Sequence, residues 1–450
     1  MFHLSSGRRQ IHGFAIAAVV TTVLAGSLVA PAAAASAGPL PGPIADSGEY
    51  PTGSDELLIP ALLCPQQTAA KGFPLSTAPL AQAGALRVSR GALPQGVRLQ
   101  AGGFHLEGEP NTIETASFTL ELATVRPDGH TDLTTKACTV IVKEAPKVTR
   151  VAGNDRYAQA LAISRLTFRD DAADTVYLAS GQKFADALSA TAAAAHHAAP
   201  LLLTPGAALP PGVLEEIRRV GANDVVIVGG EASVSAAVAA QVAASTPAKV
   251  TRIAGADRYE VSRTLIGHAV FGFPSAAAAF VATGATFADA LTASPAAVSG
   301  GSPVLLVDGS ATTLGSQESA LLTRLGVKSV AIVGGVTSVG AALASSIEKS
   351  FATTRYAGST RYEVGATVNG ASFPAASKVY LASGVVFADA LSGGVAAGIG
   401  ANPLYVTRSA CLAPEVHREI GRLAPSAVVI LGGPLSLSTA IETLEPCGAD

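Results

Sequence analysis

The chain has 450 residues, 30 Lys and Arg against 33 Asp and Glu, a formal net charge of -3 and 49% hydrophobic residues. This near-neutral balance excludes bulk electrostatic attraction to nucleic acid, a membrane surface or an anionic polymer, so any anion must be recognised locally. The length exceeds one typical domain and predicts two to four.

Residues 1–37 read as a secretory signal. Arg8 and Arg9 form the positive start, "FAIAAVVTTVLAGSLVAPAAA" the apolar core, and Ala35-Ser36-Ala37 a small-residue cleavage site. The competing reading is an uncleaved membrane anchor; the Ala- and Thr-rich run ending in a cleavage-type sequence argues against it. No second apolar segment of about twenty residues follows, which predicts a soluble exported chain. Residues 38–54, "GPLPGPIADSGEYPTGS", predict a flexible spacer.

Residues 55–147 change to strands. "GALRVSR", "GVRLQ", "GFHLEG", "ASFTLELATV" and "KACTVIVK" alternate apolar and polar residues between Gly, Pro and Asp-Gly turns, the pattern of a small antiparallel β-sandwich. His105 and Glu107 share one face of a short strand and read as a solvated pair. Cys64, Cys138, Cys411 and Cys447 are an even set in an exported chain without CxxC spacing, which favours disulfides over metal ligands. Three pairings are open. We expect Cys64 with Cys138 and Cys411 with Cys447, because each pair then falls inside one domain, each contributing about 2 to 4 kcal/mol.

From residue 148 one unit is written three times. "RVAGNDRY" at Arg150 returns as "RIAGADRY" at Arg252 and "RYAGSTRY" at Arg355; F-A-D-A-L recurs at Phe184, Phe287 and Phe387; and a strand ends in a double glycine at Gly230, Gly335 and Gly433. A period of about one hundred residues is too long for a solenoid and suits a small domain. Within the first copy, "TRVAG", "TVYLAS", "PLLLT" and "DVVIVGG" read as strands. "DRYAQALAISRLTF", "FADALSATAAAAHHA", "LPPGVLEEIRRVGA" and "SVSAAVAAQVAA" read as helices. Apolar strands alternating with helices predict α/β repeats, each a doubly wound parallel-sheet module, at residues 148–247, 248–351 and 352–450.

Asp155, Asp257 and Thr360 stand at helix N-caps, each followed by an arginine: Arg156, Arg258 and Arg361. A cation there opposes the helix dipole at about 0.3 to 1 kcal/mol, so it needs a partner. The candidates are Asp186, Asp289 and Asp389 of the F-A-D-A-L motifs, or an anionic ligand such as a phosphate or uronate. The double glycines read as turns ending parallel strands or as backbone open to a ligand, and His196 and His197 as a solvated helix end rather than a metal site. H-E-x-x-H, G-x-S-x-G, G-x-G-x-x-G and the phosphate loop are missing from the sequence. The triplicated Asp also lacks a second acid in register, as a hydrolase would need. We therefore expect no enzyme, no cofactor and no metal.

The residues support two resemblances. Leu93-Pro94, Gly96, Leu99, Gly108 and Pro110 resemble the pattern of immunoglobulin-like domains of bacterial surface proteins, which implies a spacer or adhesion module. The R-x-A-G-x-x-R-Y, S/T-G-x-x-F-A-D-A-L, P-L-L-L and V-I-V-G-G segments resemble the cell wall-binding repeat 2 family of Gram-positive surface proteins. That resemblance implies a secreted, wall-associated protein. It would hold anionic cell wall glycopolymers non-covalently through three modules about a pseudo-threefold axis. The family's binding is associated with the segment that here reads Leu201-Leu202-Leu203 and Val304-Leu305-Leu306, departing to Leu404-Tyr405-Val406 in the third copy. Read from the residues alone, these runs are core strands. Two alternatives stand beside anchoring: an adhesin or envelope spacer whose N-terminal domain binds an external protein partner, and a wall hydrolase.

Overall fold

The computed structural model describes residues 61–75 and 79–448; the expected signal and spacer lie outside them. Among the described residues no helix is long and apolar enough to cross a membrane.

The first region contains β1 (Thr68–Ala70), β2 (Ala85–Gly91), β3 (Val97–Leu99), β4 (Leu106–Gly108), β5 (Thr115–Val125) and β6 (Thr131–Lys143). β5 alternates as its sequence requires, turning Ala116, Phe118, Leu120 and Leu122 inward. It returns as β6 through Asp128-Gly129, where Gly129 takes φ 83°. The sheet order is β1-β6-β5-β2, and β3 and β4 form a separate hairpin. Phe118, Leu120, Leu122 and Val140 centre a core of their own. A disulfide joins Cys64 to Cys138 beside it, as expected. β1 lies parallel to β6, and its "TAA" carries no alternation that would have marked it as a strand.

The repeats follow as alternating strands and helices. The first copy holds β7 (Lys147–Val151), α1 (Arg156–Thr167), β8 (Thr175–Ser180), α2 (Phe184–His196), β9 (Leu201–Thr204), α3 (Val213–Arg219), β10 (Asp224–Val228) and α4 (Ala236–Ser245). The second holds β11 (Lys249–Ile253), α5 (Arg258–Ile266), β12 (Ala278–Thr283), α6 (Ala288–Ser299), β13 (Val304–Val307), α7 (Ser316–Leu325), β14 (Ser329–Val333) and α8 (Ala341–Glu348). The third holds β15 (Ala352–Tyr356), α9 (Arg361–Ser372), β16 (Lys378–Ser383), α10 (Ala388–Ile399), β17 (Leu404–Thr407), α11 (Pro414–Leu423) and β18 (Ala427–Leu431), then a 3-10 turn at Thr439–Thr443 where the other copies have a helix.

The sheets do not follow the sequence period. Their orders are β11-β10-β8-β9, β13-β12-β14-β15 and β17-β16-β18-β7, with every pair parallel. Each sheet therefore takes its edge strand from the next copy, and the third takes β7 from the start of the first. Boundaries at 148, 248 and 352 describe the repeat of the sequence, but they cut through strand–helix–strand units such as β10-α4-β11. A parallel neighbour is reached over one helix there, so the strand opening each copy belongs to the sheet before it.

The closure of β7 on β18 runs from Lys147 opposite Ala427 to Val151 opposite Leu431. Arg150 secures it. Its Nη1 donates to the carbonyls of Gly432 (2.8 Å) and Leu437 (2.9 Å), and its Nε lies 2.7 Å from Glu442 Oε1. Arg252 and Arg355 do the same at the other junctions, donating to Gly229 O (2.9 Å) and Gly334 O (2.8 Å). The second expected disulfide, Cys411 to Cys447, fastens the C-terminal segment.

The Ala- and Gly-rich helices α2, α6 and α10 are almost wholly buried and pack on one another in all three pairings. Small residues allow the approach: a Cβ on Gly394 would press on Thr191, whose Oγ1 donates to Leu391 O across the α2–α10 contact at 3.3 Å. The N-terminal region docks on the third copy. Phe73 lies 4.9 Å from the His417 ring on α11, and Gln66 Nε2 donates to Gly421 O at 3.4 Å. A side chain at Gly421 would strike Pro74 O.

Candidate functional site

The three F-A-D-A-L segments start α2, α6 and α10 at one end of the molecule. Phe184, Phe287 and Phe387 meet there, each half-buried, with ring centroids 5.7, 5.8 and 5.9 Å apart. Over each ring lies an arginine from another copy: Arg156 over Phe387 at 5.6 Å, Arg258 over Phe184 at 5.6 Å and Arg361 over Phe287 at 5.7 Å. Such contacts contribute about 0.5 to 1 kcal/mol each where exposed. Each guanidinium is held from its own copy, donating through Nη1 to Gly181 O (2.5 Å), Gly284 O (2.6 Å) or Gly384 O (2.5 Å). Asp155 and Asp257 cap α1 and α5, and Thr360 caps α9, as their positions require. The arginines therefore bridge repeats.

The expected Arg–Asp ion pairs do not form: among the described residues none of these arginines lies within ion-pair distance of an F-A-D-A-L carboxylate. Asp186, Asp289 and Asp389 are buried and turn instead toward the double-glycine turns. Asp186 Oδ2 accepts from Ser233 Oγ at 2.7 Å; Ser338 and Ser436 stand beside Asp289 and Asp389. These serines follow the double glycines at a constant spacing, G-G-x-x-S, a triplicated signal that sequence reasoning passed over. Each carboxylate backs onto the first glycine of its turn. Gly229, Gly334 and Gly432 have φ of 111°, 115° and 104°, and a Cβ there would collide with Asp Oδ2. We expect Gly229→Ala to destabilise by about 1 to 3 kcal/mol in thermal denaturation. Gly230→Ala, which meets open space, should change little.

Burial pushes the carboxyls of Asp289 and Asp389 above their ordinary range, against the opposing pull of their serines and of Arg361 and Arg156 respectively. A carboxyl with a raised folded pKa holds its proton more tightly when folded, so its ionisation lowers stability at neutral pH. That penalty disappears as pH falls through the folded value toward the ordinary one near about 4. Asp389→Asn should accordingly be more stable than the parent at pH 7, with the difference closing toward pH 4; unfolding followed across that range measures it.

Between the second and third copies, with Phe184 of the first at its edge, lies an open cleft of about 380 Å³. Phe184 and Phe287 line it with Asp289, Thr337, Ser338 and Arg361, while the helix start at Gly358–Thr360 closes one side. A half-buried aromatic floor, a guanidinium with donors left over and backbone N–H groups of a glycine turn suit an anionic, hydroxylated ligand.

Other expected residues lie elsewhere. Leu201, Leu202, Leu203, Val304, Leu305 and Leu306 form β9 and β13 and are at most 2% exposed, so direct polymer contact by these six is corrected: they are sheet core. Leu404, Tyr405 and Val406 of β17 are equally buried. His196 and His197 are not a solvated helix end. His196 stacks on Phe273 at 4.3 Å and His197 Nε2 lies 2.8 Å from Gly272 O, tying the first copy to the second. Glu107 pairs with Arg98 at 2.9 Å.

Three interlocked α/β repeats, each sharing a strand and an arginine–phenyl contact with a neighbour, define a modular repeat protein. The chain belongs to the Cell wall binding domain 2 (CWB2) family, whose model matches residues 150–239, 252–344 and 355–442. It carries three copies of that domain, one in each repeat. It is similar to N-acetylmuramoyl-L-alanine amidase LytC of Bacillus subtilis (strain 168), at 28% identity over 294 residues, covering 65% of this chain and 57% of the amidase. It is similar also to the amidase enhancer of the same organism, at 29% identity, covering 65% of this chain and 39% of that protein. The chain thus spans about half the length of these relatives. Its fold resembles Cwp6 from Clostridium difficile, with a TM-score of 0.60 at 18% identity over 86% of this chain and 68% of that one. It also resembles Cwp8 from the same organism, with a TM-score of 0.59 at 24% identity over 80% and 62%.

Proposed function

We propose that the protein is exported and anchors itself non-covalently to anionic secondary polymers of the cell wall, through three composite sites arranged about a pseudo-threefold axis. The observation that carries this reading is the threefold recurrence of one constellation: a guanidinium of one copy over the phenyl ring of another, beside a buried Asp and a G-G-x-x-S turn. The cyclic order of the contacts, first copy over third, second over first and third over second, supports the axis and a ring closed within one chain. Three weak sites on one chain raise the effective concentration at a repeating polymer and multiply affinity by about 10² to 10⁴ where geometry permits. The chain supplies no paired carboxylate in register with the repeated Asp, which favours binding over catalysis by the repeats.

The region before the repeats we read as an immunoglobulin-like spacer or adhesion module. Phe73 on His417 and Gln66 on Gly421 set it against α11 of the third copy. Co-sedimentation of the chain with purified wall sacculi, before and after chemical removal of phosphate-linked and uronate polymers, tests the anchor. Binding should disappear with the polymers. Equal binding to stripped sacculi would transfer recognition to peptidoglycan itself.

A further inference from the structure

The three composite sites share their centre but not their rims. The cavity between the second and third copies is lined, on the second copy's side, by Ala285 and Thr286 ahead of Phe287 and by Thr337 in the double-glycine loop. Counted from the same Phe and the same double glycine, the first copy has Gln182, Lys183 and Ala232, and the third has Val385, Val386 and Leu435. The loops hold comparable positions in the fold, each following the matching strand: β8 and β10, β12 and β14, β16 and β18. The chemistry runs from basic and polar through hydroxylated to wholly aliphatic.

The aliphatic trio is not spent on packing. Val385 is 64% exposed, Val386 39% and Leu435 fully so. Val386 directly precedes Phe387, whose ring lies under Arg156, and the three aliphatics hold the positions that line the cavity in the second copy, which sets an apolar edge at a cation–ring contact. By contrast, Lys183 spans the first copy's two loops, its Nζ donating to Ala232 O at 3.0 Å, and adds a second positive charge near Arg258 over Phe184.

We propose that the three sites differ in specificity, and that the site formed by the third and first copies selects an acidic sugar residue bearing a small apolar substituent of the acetyl type. This rests on the anchoring reading above and deepens it. The acid faces Arg156, and the methyl of the substituent is covered by Val385, Val386 and Leu435. The site of the first and second copies, with Lys183 and Arg258, takes the unsubstituted or more highly charged residue. A polymer decorated irregularly along its length is then gripped at both kinds of residue, which a ring of three identical sites would not achieve.

The probes are a methyl hexuronoside and its 2-acetamido-2-deoxy counterpart. They are titrated into the full chain while the labelled methyl groups of Val385, Val386 and Leu435 are followed by NMR. The acetamido probe should bind there about fourfold more tightly, the ratio that burying one methyl group provides. The double variant V386T/L435T, which copies the second copy's Thr286 and Thr337, should abolish the ratio by bringing the acetamido probe down to the affinity of the plain hexuronoside. The reciprocal graft T286V/T337L should create the preference at the neighbouring site. Equal affinity of both probes for the parent, or an unchanged ratio in V386T/L435T, overturns the proposal and leaves the anchoring reading standing. If neither probe binds and R156Q/R258Q/R361Q sediments with sacculi as the parent does, the anchoring reading falls and this proposal with it. Concentration-dependent self-association that V386T/L435T removes, without any probe preference, would assign the rim to contact between copies of the chain and also overturn the proposal.

Discussion

A fragment beginning at residue 153 should melt about 10 °C or more below one beginning at residue 144, although the two differ by only nine residues. The shorter fragment loses β7, and with it the parallel ladder from Lys147 to Val151 along β18. At a net contribution of about 1 kcal/mol per hydrogen bond, the strand and the Arg150 contacts to Gly432, Leu437 and Glu442 together amount to several kcal/mol. For a domain of this size each kcal/mol is worth about 2 to 4 °C. The loss also leaves the buried strand β18 as an unprotected edge, so the fragment should aggregate on heating. Arg150→Ala in the full chain isolates the side-chain share and should give a smaller drop. Calorimetry on the three proteins checks the order. Equal melting temperatures would mean that the third sheet is stable without its borrowed strand.

The second large effect concerns binding. Replacing Arg156, Arg258 and Arg361 together by Gln should reduce retention on sacculi by about 10² or more, whereas any single replacement should cost about tenfold or less. The asymmetry follows from avidity: with two sites left, the polymer is still held at high effective concentration, and with none it is not. Each guanidinium also joins two copies through a carbonyl and a phenyl ring, so melting temperatures must be recorded beside the binding. Arg→Lys keeps the charge but loses the planar stack and the fork of donors. The triple Lys variant should fall between the parent and the triple Gln variant. A triple Gln variant that folds and sediments normally would remove these arginines from recognition.

Much of the fold is legible along the chain because its information is local and repeated. Continuous apolar strands such as "DVVIVGG", caps at Asp155, Asp257 and Thr360, and the Asp-Gly turn before β6 each encode their own conformation. Pairing is not local. "KVTRV" at β7 is a strand by pattern, but nothing in those five residues says that its partner lies some 280 residues on; that follows from how the first and third copies meet, a property of the whole chain. The site was half legible for the same reason. The repeated Arg, Phe and Asp could be picked out, yet a single unit cannot reveal that an arginine reaches the phenyl ring of another unit. A carboxylate is the usual partner of a guanidinium, so the repeated Asp stands beside an anionic ligand as a candidate partner of the repeated Arg, and the sequence does not decide between them. The hydrogen bond of Asp186 with Ser233 could have been suspected only from the constant G-G-x-x-S spacing. The aliphatic runs read from their residues as core strands, and burial of Leu201 to Leu203 on both faces of the sheet bears that out; contact with a ligand was implied only by the family resemblance.

The position of β7 also governs how the molecule carries load. The N-terminal region joins β7 at Lys147, and the composite sites lie beyond its other end, where the chain passes Gly153 into α1. Tension between something held by the N-terminal region and a wall held by the sites would run along the axis of β7. Because β7 is parallel to β18, that pull acts on the ladder in shear, and all five residue pairs from Lys147 to Val151 resist together instead of opening one after another. The Arg150 contacts lie on the same strand and add to this joint resistance. The strand that joins the first copy to the third thus doubles as a mechanical clasp, strongest against a pull along its own axis.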